Sequence, residues 1–285
     1  NDEINAARDV MKTSNYRAPK DPEQDRVFLG VQVQGETSPE APKLALLRRA
    51  GYPAAVVAFP KETPLSTYMQ FVHYAVFGLG FLRKMNFVTQ PSVELYKAIT
   101  NRMHAAAAKA GGIAKSTEWR AFIETPHQAK WRNRVTLRYE HAGVPVAPRE
   151  GAAPAVYAAL LRSAMEQGAT YGELSFFGDL RYSKDGAAVR RVLERAGELV
   201  FRSRLKAPVD VYEGPAMNHS YHEMIIGHGG CFSTVLLNET SAELAEAGYT
   251  ADYHRAQFLA TQMALAERGR PVVSITVKDL TAPTL

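Results

Sequence analysis

The 285-residue sequence predicts an α/β protein built from two three-layer units, each with a mainly parallel sheet. Segments with the alternating pattern of strands and segments with the spacing of helices follow one another along most of the chain. Residues 54–59 are apolar throughout, which is typical of a strand whose two faces are both covered by helices. We expect both units to be incomplete at the chain ends, because residues 281–284 would normally begin another helix.

The first unit is predicted over residues 26–110, in the order strand, helix, strand, helix, helix. Its first strand, Arg26 to Gln34, alternates apolar and polar residues over much of its length. The next helix, over about 42–50, ends at Gly51, because glycine best tolerates the left-handed turn at a helix C-terminus. The remaining elements are a strand over 54–59 and helices over about 63–85 and 92–110.

Residues 111–150 are predicted to be a connector and the domain boundary, and residues 151–285 a second unit of the same kind. The connector carries both tryptophans and several arginines, and it has room for one or two short helices. Residues 1–25 are expected to be an extended linker segment. The second unit is predicted to contain helices over about 154–167, 183–203, 220–227 and 250–268, and strands over 171–177, 209–212, 231–237 and 271–277.

The composition argues against several classes of function. The formal charge of +5 comes from 34 basic and 29 acidic side chains that are mixed along the chain, so no basic patch for nucleic acid or membrane is predicted. No stretch approaches ~18 uninterrupted apolar residues and no apolar leader is found, so we expect a cytoplasmic protein. Cys231 is the single cysteine, which favours a reducing compartment, and we expect it to be a buried structural thiol.

A first motif runs from Asn86 to Lys97. It resembles the C-terminal signature of the phosphoglucose isomerase family, in which an Asn-Pro-Phe-Asp-Gln run leads through Val-Glu to a lysine. Gln90 and Lys97 keep the family's spacing, and the segment from Phe28 to Phe59 is similar to the sugar-isomerase (SIS) domain that carries this signature. The sequence departs from the pattern where the family has Asp, Gly and a small residue, at Thr89, Ser92 and Tyr96.

A second motif, Asn218 to Glu223, lies more than a hundred residues later. It resembles the His-Ser-x-x-Gln motif that carries the family's ring-opening histidine, and residues 258–284 are similar to the helix and strand that follow that histidine. In ordinary family members the histidine motif precedes the lysine motif. The reversed order resembles the C-terminal part of the bacterial transaldolase–phosphoglucose isomerase fusion proteins, in which an extra histidine-bearing domain comes last.

The resemblance implies part of an aldose–ketose isomerase that interconverts glucose 6-phosphate and fructose 6-phosphate, with no cofactor and no metal. His219 would be the acid/base that opens the sugar ring, a task that suits imidazole because it titrates near neutral pH. Lys97 would supply the cation for the enediolate, and Gln90, Asn218 and Ser220 would bind the substrate. The family borrows its histidine from a neighbouring subunit, so we expect Lys97 and His219 to line one crevice, within a chain or across a dimer.

Other parts of an isomerase site are missing from the sequence. The family's phosphate-binding loop, its Gly-Gly-Arg motif and its glutamate base have no counterpart that we can identify. We therefore expect the chain to be a piece of a larger polypeptide or to act as a homo-oligomer. Glu173 and Ser175 lie in a predicted strand, but nothing in the sequence marks them, and Glu223 is expected to be a helix-surface carboxylate.

Two alternatives stay open. The first is a catalytically incomplete module that binds a phosphosugar or packs against a catalytic neighbour, which the missing arginine motif and the departure at Thr89 favour. The second is a metal-dependent hydrolase, because three histidines and a glutamate fall within ten residues, at His219, His222, Glu223 and His228. The zincin pattern requires a histidine where this sequence has Ile226, which argues against zinc.

Overall fold

The computed structural model describes residues 28–49, 51–85, 89–143, 152–214, 219–227, 229–239 and 250–280, and for residues 219 and 220 the backbone alone. The chain forms two compact units that divide between Thr89 and Gln90. Strands and helices alternate in both units, which confirms the predicted α/β class. The predicted linker over 1–25 lies outside the described residues. No helix in the described part is both long and apolar enough to cross a lipid bilayer.

The first unit contains two strands and two helices in its described part: β1 (Phe28–Val33), α1 (Ala41–Arg49), β2 (Ala54–Phe59) and α2 (Leu65–Leu82). The strands pair in parallel, with α1 as the crossover between them. Leu47 of α1 is fully buried. Gly30 of β1 lets α1 approach closely, because a Cβ at this position would lie 2.9 Å from Leu44 Cδ2.

Helix α2 exposes an unusual amount of apolar surface. Its exposed apolar side chains include Leu65, Met69, Tyr74, Val76, Phe77, Leu79, Phe81 and Leu82. Two other α2 residues, Tyr68 and Phe71, pack edge-on against Phe59 of β2. A contiguous apolar surface on a helix is typical of contact with another protein element.

The second unit contains six helices and six strands in its described part. In chain order these are α3 (Pro91–Ala110), α4 (Thr117–Glu124), β3 (Gln128–Trp131), β4 (Val135–Arg138), α5 (Ala153–Glu166), β5 (Tyr171–Phe177), α6 (Lys184–Ala196), β6 (Val209–Glu213), α7 (His219–Gly227), β7 (Cys231–Asn238), α8 (Ala251–Glu267) and β8 (Val272–Val277). Helix α6 continues into wider, π-helical turns over Gly197–Leu205, where the sequence predicts one regular helix. The predicted helices and strands after residue 151 are all present, and their ends lie within two residues of the predicted ones when the π-helical turns are counted with α6.

The six strands form one sheet in the order β3-β4-β8-β7-β5-β6. Strands β8, β7, β5 and β6 are parallel, whereas β3 and β4 add an antiparallel hairpin at one edge, so the sheet is mainly parallel as predicted. From β5 the chain passes through α6 to β6 on one side, and then through α7 to β7 on the other side of β5. Open α/β sheets bind ligands outside the carboxyl ends of the strands where the chain changes direction in this way.

Helices cover both faces of this sheet and produce three layers. Helices α5 and α6 pack on one face with Leu174, Phe176 and Phe232 of the strands. Helices α3, α7 and α8 contribute to the core on the opposite face, together with Phe177 and Val235. Because strand side chains alternate between faces, neighbouring residues such as Phe176 and Phe177 belong to different cores.

The structure divides the chain earlier than the boundary predicted over 111–150. Helix α3, which the sequence assigned to the first unit, packs against α7 and α8 of the second. Residues 128–138 form the β3–β4 hairpin at the sheet edge, not a connector. The hairpin escaped prediction because its turn uses Arg132 and Asn133 at φ of 48° and 53°, and not the Asn-Gly pair that usually marks such turns.

Candidate functional site

The lysine motif and the histidine motif lie on two helices that pack against each other, α3 and α7. Glu223 Oε2 on α7 accepts hydrogen bonds from the backbone N–H groups of Ser92 at 2.9 Å and Val93 at 3.1 Å. These two donors belong to the first turn of α3, where the helix itself provides no acceptor and where its dipole favours a negative charge. Glu223 is therefore a helix cap that joins the two motifs, a more specific role than the surface carboxylate that the sequence predicts.

A pair of stacked rings reinforces the same contact. Tyr96 on α3 lies against His222 on α7, with ring centroids 4.8 Å apart and ring planes inclined by 20°. Both side chains are buried, and burial raises the pKa of the Tyr96 phenol. Tyr96 stands where the phosphoglucose isomerase pattern has a small residue. A small residue at this position would not reach the His222 ring.

Two of the predicted site residues, Gln90 and Lys97, lie exposed on the first turns of α3. Lys97 Nζ forms an ion pair of 2.8 Å with Glu94 Oε1, and both side chains are largely exposed. Exposed pairs of this kind contribute little free energy, so the ammonium group is available to an anionic ligand. Gln90 is the N-cap residue of α3, but its side chain makes no capping hydrogen bond, because Glu223 fills that role.

His219 and Ser220 are the first two residues of α7. Helix α7 connects the carboxyl end of β6 to the amino end of β7, so its N-terminus lies at the carboxyl edge of the parallel strands, where open α/β sheets generally bind ligands. The first N–H groups of a helix lack intrahelical acceptors and favour anions. Asn218 lies outside the described residues, as do the side chains of His219 and Ser220, so the roles of all three stay predictions.

The turn that follows β5 at the same edge is built around Asp179. Its carboxylate oxygens accept hydrogen bonds from the backbone N–H groups of Arg181 at 2.8 Å, Tyr182 at 2.7 Å and Ser183 at 2.7 Å. Partial burial acts to raise the pKa of Asp179, but these bonds and the Ser183 side chain hold it below its usual value. The Arg181 guanidinium also forms an ion pair with Glu213 at the end of β6. These contacts fix the backbone at the carboxyl ends of β5 and β6.

One buried carboxyl group, that of Glu173, was not singled out by the sequence. Glu173 is fully buried in β5, with Asp210 of β6 and Ser233 of β7 directly beside it in the strand register. Burial raises its pKa to about 7. The available signal was a lone acidic residue within the strand predicted over 171–177. Cys231 is buried nearby, and burial also raises the pKa of its thiol, as expected for a structural cysteine.

The residues behind the metal hypothesis have other contacts where the structure describes them. His222 is stacked on Tyr96, and Glu223 caps α3. Within the described part of the chain, no three His, Cys, Asp or Glu side chains are grouped as ligands of one metal ion. His228 lies outside that part.

Replacing Glu223 with alanine is expected to lower the free energy of unfolding of the second unit by about 1–2 kcal/mol, because two N–H donors of α3 lose their acceptor. Urea denaturation followed by tryptophan fluorescence measures this change. Glu94→Ala, at an exposed position in the first turn of the same helix, is the matched control and should cost less than about 0.5 kcal/mol. Equal stability of the two variants would show that the cap contributes nothing.

We compared the chain with protein families and with curated proteins. No protein-family model matches the chain, and a search of curated proteins finds no match either. The likeness to phosphoglucose isomerases therefore rests on the two sequence motifs alone.

Proposed function

We propose that this chain forms part of a sugar-phosphate aldose–ketose isomerase, the part that opens the ring of glucose 6-phosphate or fructose 6-phosphate and stabilises the enediolate. One observation supports the proposal above all others. The two motifs that resemble the isomerase family are far apart in the sequence, yet their helices are in direct contact through Glu223 and the backbone of Ser92 and Val93.

The same contact supports a site shared by Lys97 and His219. Lys97 directly follows Tyr96, and His219 precedes His222 by three residues, and the rings of Tyr96 and His222 are stacked. Each candidate residue therefore lies within one helical turn, about 5.4 Å along the helix axis, of a contact between the two helices. Of the two arrangements that the sequence left open, this favours a site within one chain.

The chemistry assigned to these residues is acid–base catalysis followed by charge stabilisation. His219 gives its proton to the ring oxygen while the anomeric hydroxyl gives its proton to water, and the ring C–O bond breaks to give the open carbonyl form. Lys97 exchanges Glu94 for the enediolate oxygen on which negative charge develops. Gln90 binds a sugar hydroxyl, and the start of α7, with Asn218 and Ser220, binds an anionic group. The base that moves the C2 proton comes from another segment or another subunit.

A phosphosugar-binding module without turnover is the second candidate. Three described carboxylates, which an isomerase could use as its base, favour this module because each one is buried or already bonded to another group. Glu223 caps α3, Glu94 pairs with Lys97 on the helix surface, and Glu173 is buried in the sheet. None of them is placed to take a proton from a substrate carbon.

Calorimetry with glucose 6-phosphate and fructose 6-phosphate, beside an isomerase assay on the same preparation, separates the two candidates. Binding with turnover supports the isomerase, binding without turnover supports the module, and no binding of either sugar phosphate refutes both.

Lys97→Ala is expected to lower turnover, or affinity in a module, by about tenfold or more. Lys109→Ala, at an exposed position in the last turn of the same helix, is the matched control and should change neither.

A further inference from the structure

Glu173 lies in β5, between β6 and β7 of the sheet, and has no partner for its charge among the described residues. It is fully buried, and neither carboxylate oxygen accepts a well-formed hydrogen bond from any group in the described part of the chain. The hydroxyl groups of Ser175 and Ser233 lower the pKa of Glu173, but burial raises it by more. In such surroundings a neutral carboxylic acid is far less costly than a carboxylate.

Among the residues that the structure describes, the groups beside Glu173 supply no compensating cation. Asp210 lies beside it on β6, and the Asp210 carboxylate already accepts a hydrogen bond from the Tyr171 hydroxyl. Helix α8 packs over the same face with only uncharged side chains among its buried residues. The ionisable groups that interact electrostatically with Glu173 include Asp210 on β6, Cys231 on β7, Tyr221 on α7 and Tyr157 on α5.

We propose that Glu173 is a proton-controlled element of this fold: it is a neutral carboxylic acid in the most stable form of the protein, and loss of its proton to water loosens the sheet beneath α7. The carboxylate that remains is unpaired and lies next to Asp210, so the core must open to water or to a cation to accommodate it. Tyr221 of α7 stacks on Tyr212 of β6, with ring centroids 3.6 Å apart, and its phenol interacts electrostatically with Glu173. Insofar as the proposed function holds, the protonation state of Glu173 therefore also affects the packing of α7, the helix that begins with His219.

The direction of the pH dependence follows from the raised pKa. Burial raises the pKa of Glu173 from 4.5 to about 7. Between these two values the unfolded chain has released the proton whereas the folded protein still holds it, so stability falls as the pH rises through this window. Above about pH 7 both states are ionised, and Glu173 causes no further loss. The folding equilibrium constant is expected to fall on the order of a hundredfold across the window through this group alone.

The test compares the wild-type protein with Glu173→Gln, which keeps the shape of the side chain but cannot ionise. Urea denaturation is measured for both at about pH 5 and about pH 8. Between these pH values the folding equilibrium constant of the wild type should fall on the order of a hundredfold relative to that of the variant. Glu94→Gln, at a largely exposed carboxylate, is the matched control and should keep the pH dependence of the wild type. The same pH dependence in wild type and Glu173→Gln would overturn the proposal.

A second measurement decides the question if Glu173→Gln does not fold. The infrared spectrum of the wild-type protein at about pH 5.5 should contain the carbonyl band of a protonated carboxylic acid, and this band should disappear by about pH 8.5. A spectrum without this band at the lower pH would overturn the proposal. Neither measurement involves a sugar phosphate, so failure here leaves the proposed function untouched, and failure of the proposed function leaves this result untouched.

Discussion

Replacing His219 with alanine is expected to slow the isomerisation of a cyclic sugar phosphate by ~100-fold or more, and to leave an open-chain analogue nearly unaffected. The reason is that a general acid–base group lowers only the barrier of the step in which it transfers a proton. An analogue that cannot form a ring skips that step. The measurement is the ratio of kcat/KM in the variant to kcat/KM in the wild type, determined separately for the cyclic substrate and for the open-chain analogue.

His104→Ala is the matched control for this experiment, because His104 is an exposed histidine on α3 and has no assigned role. This variant should have the wild-type kcat/KM for the cyclic substrate and for the open-chain analogue. Equal losses on the two substrates in His219→Ala would remove His219 from ring opening and would point to a role in binding or in the structure of α7. Unchanged rates on both would place the ring-opening group elsewhere.

Local patterns were sufficient to predict most individual elements of the second unit. Strand β5 has the predicted bounds of Tyr171 and Phe177, because a glycine-containing turn precedes it and a Gly-Asp pair follows it. The start of α6 was likewise predictable from Ser183, whose Oγ accepts the Gly186 N–H at 2.9 Å. Both signals act within a few residues, so they can be found without knowledge of the tertiary structure.

Contacts between distant segments were not predictable in the same way. Helix α3 packs in the second unit through the Glu223 cap and the stacking of Tyr96 with His222. Both contacts join residues more than a hundred positions apart in the sequence. The environment of Glu173 depends on a strand order that brings β6 and β7 to its two sides. For the candidate site, the motifs indicated residues and roles. The contact between their helices had to come from the structure.

Replacing Phe258 with alanine is expected to lower the free energy of unfolding of the second unit by about 3–5 kcal/mol. Phe258 on α8 is fully buried, and its ring contacts Phe122 of α4 with centroids 5.5 Å apart and Phe177 of β5 with centroids 5.7 Å apart. Truncation removes both aromatic contacts and leaves a cavity where α8, α4 and the sheet meet. Urea denaturation followed by the fluorescence of Trp119, whose ring lies 6.5 Å from that of Phe258, measures the loss.

Tyr182→Ala is the control for this variant, because Tyr182 is also aromatic but is 73% exposed. Its backbone N–H still donates to Asp179 after truncation, so the change should stay within about 0.5 kcal/mol. Phe122→Ala should also be strongly destabilising, since α4 reaches the core through Phe122, which stands edge-on to Phe258. If Phe122→Ala cost no more than Tyr182→Ala, residues 117–124 would behave as the connector that the sequence predicted. A loss of several kcal/mol would make them part of the core that holds α8 on the sheet.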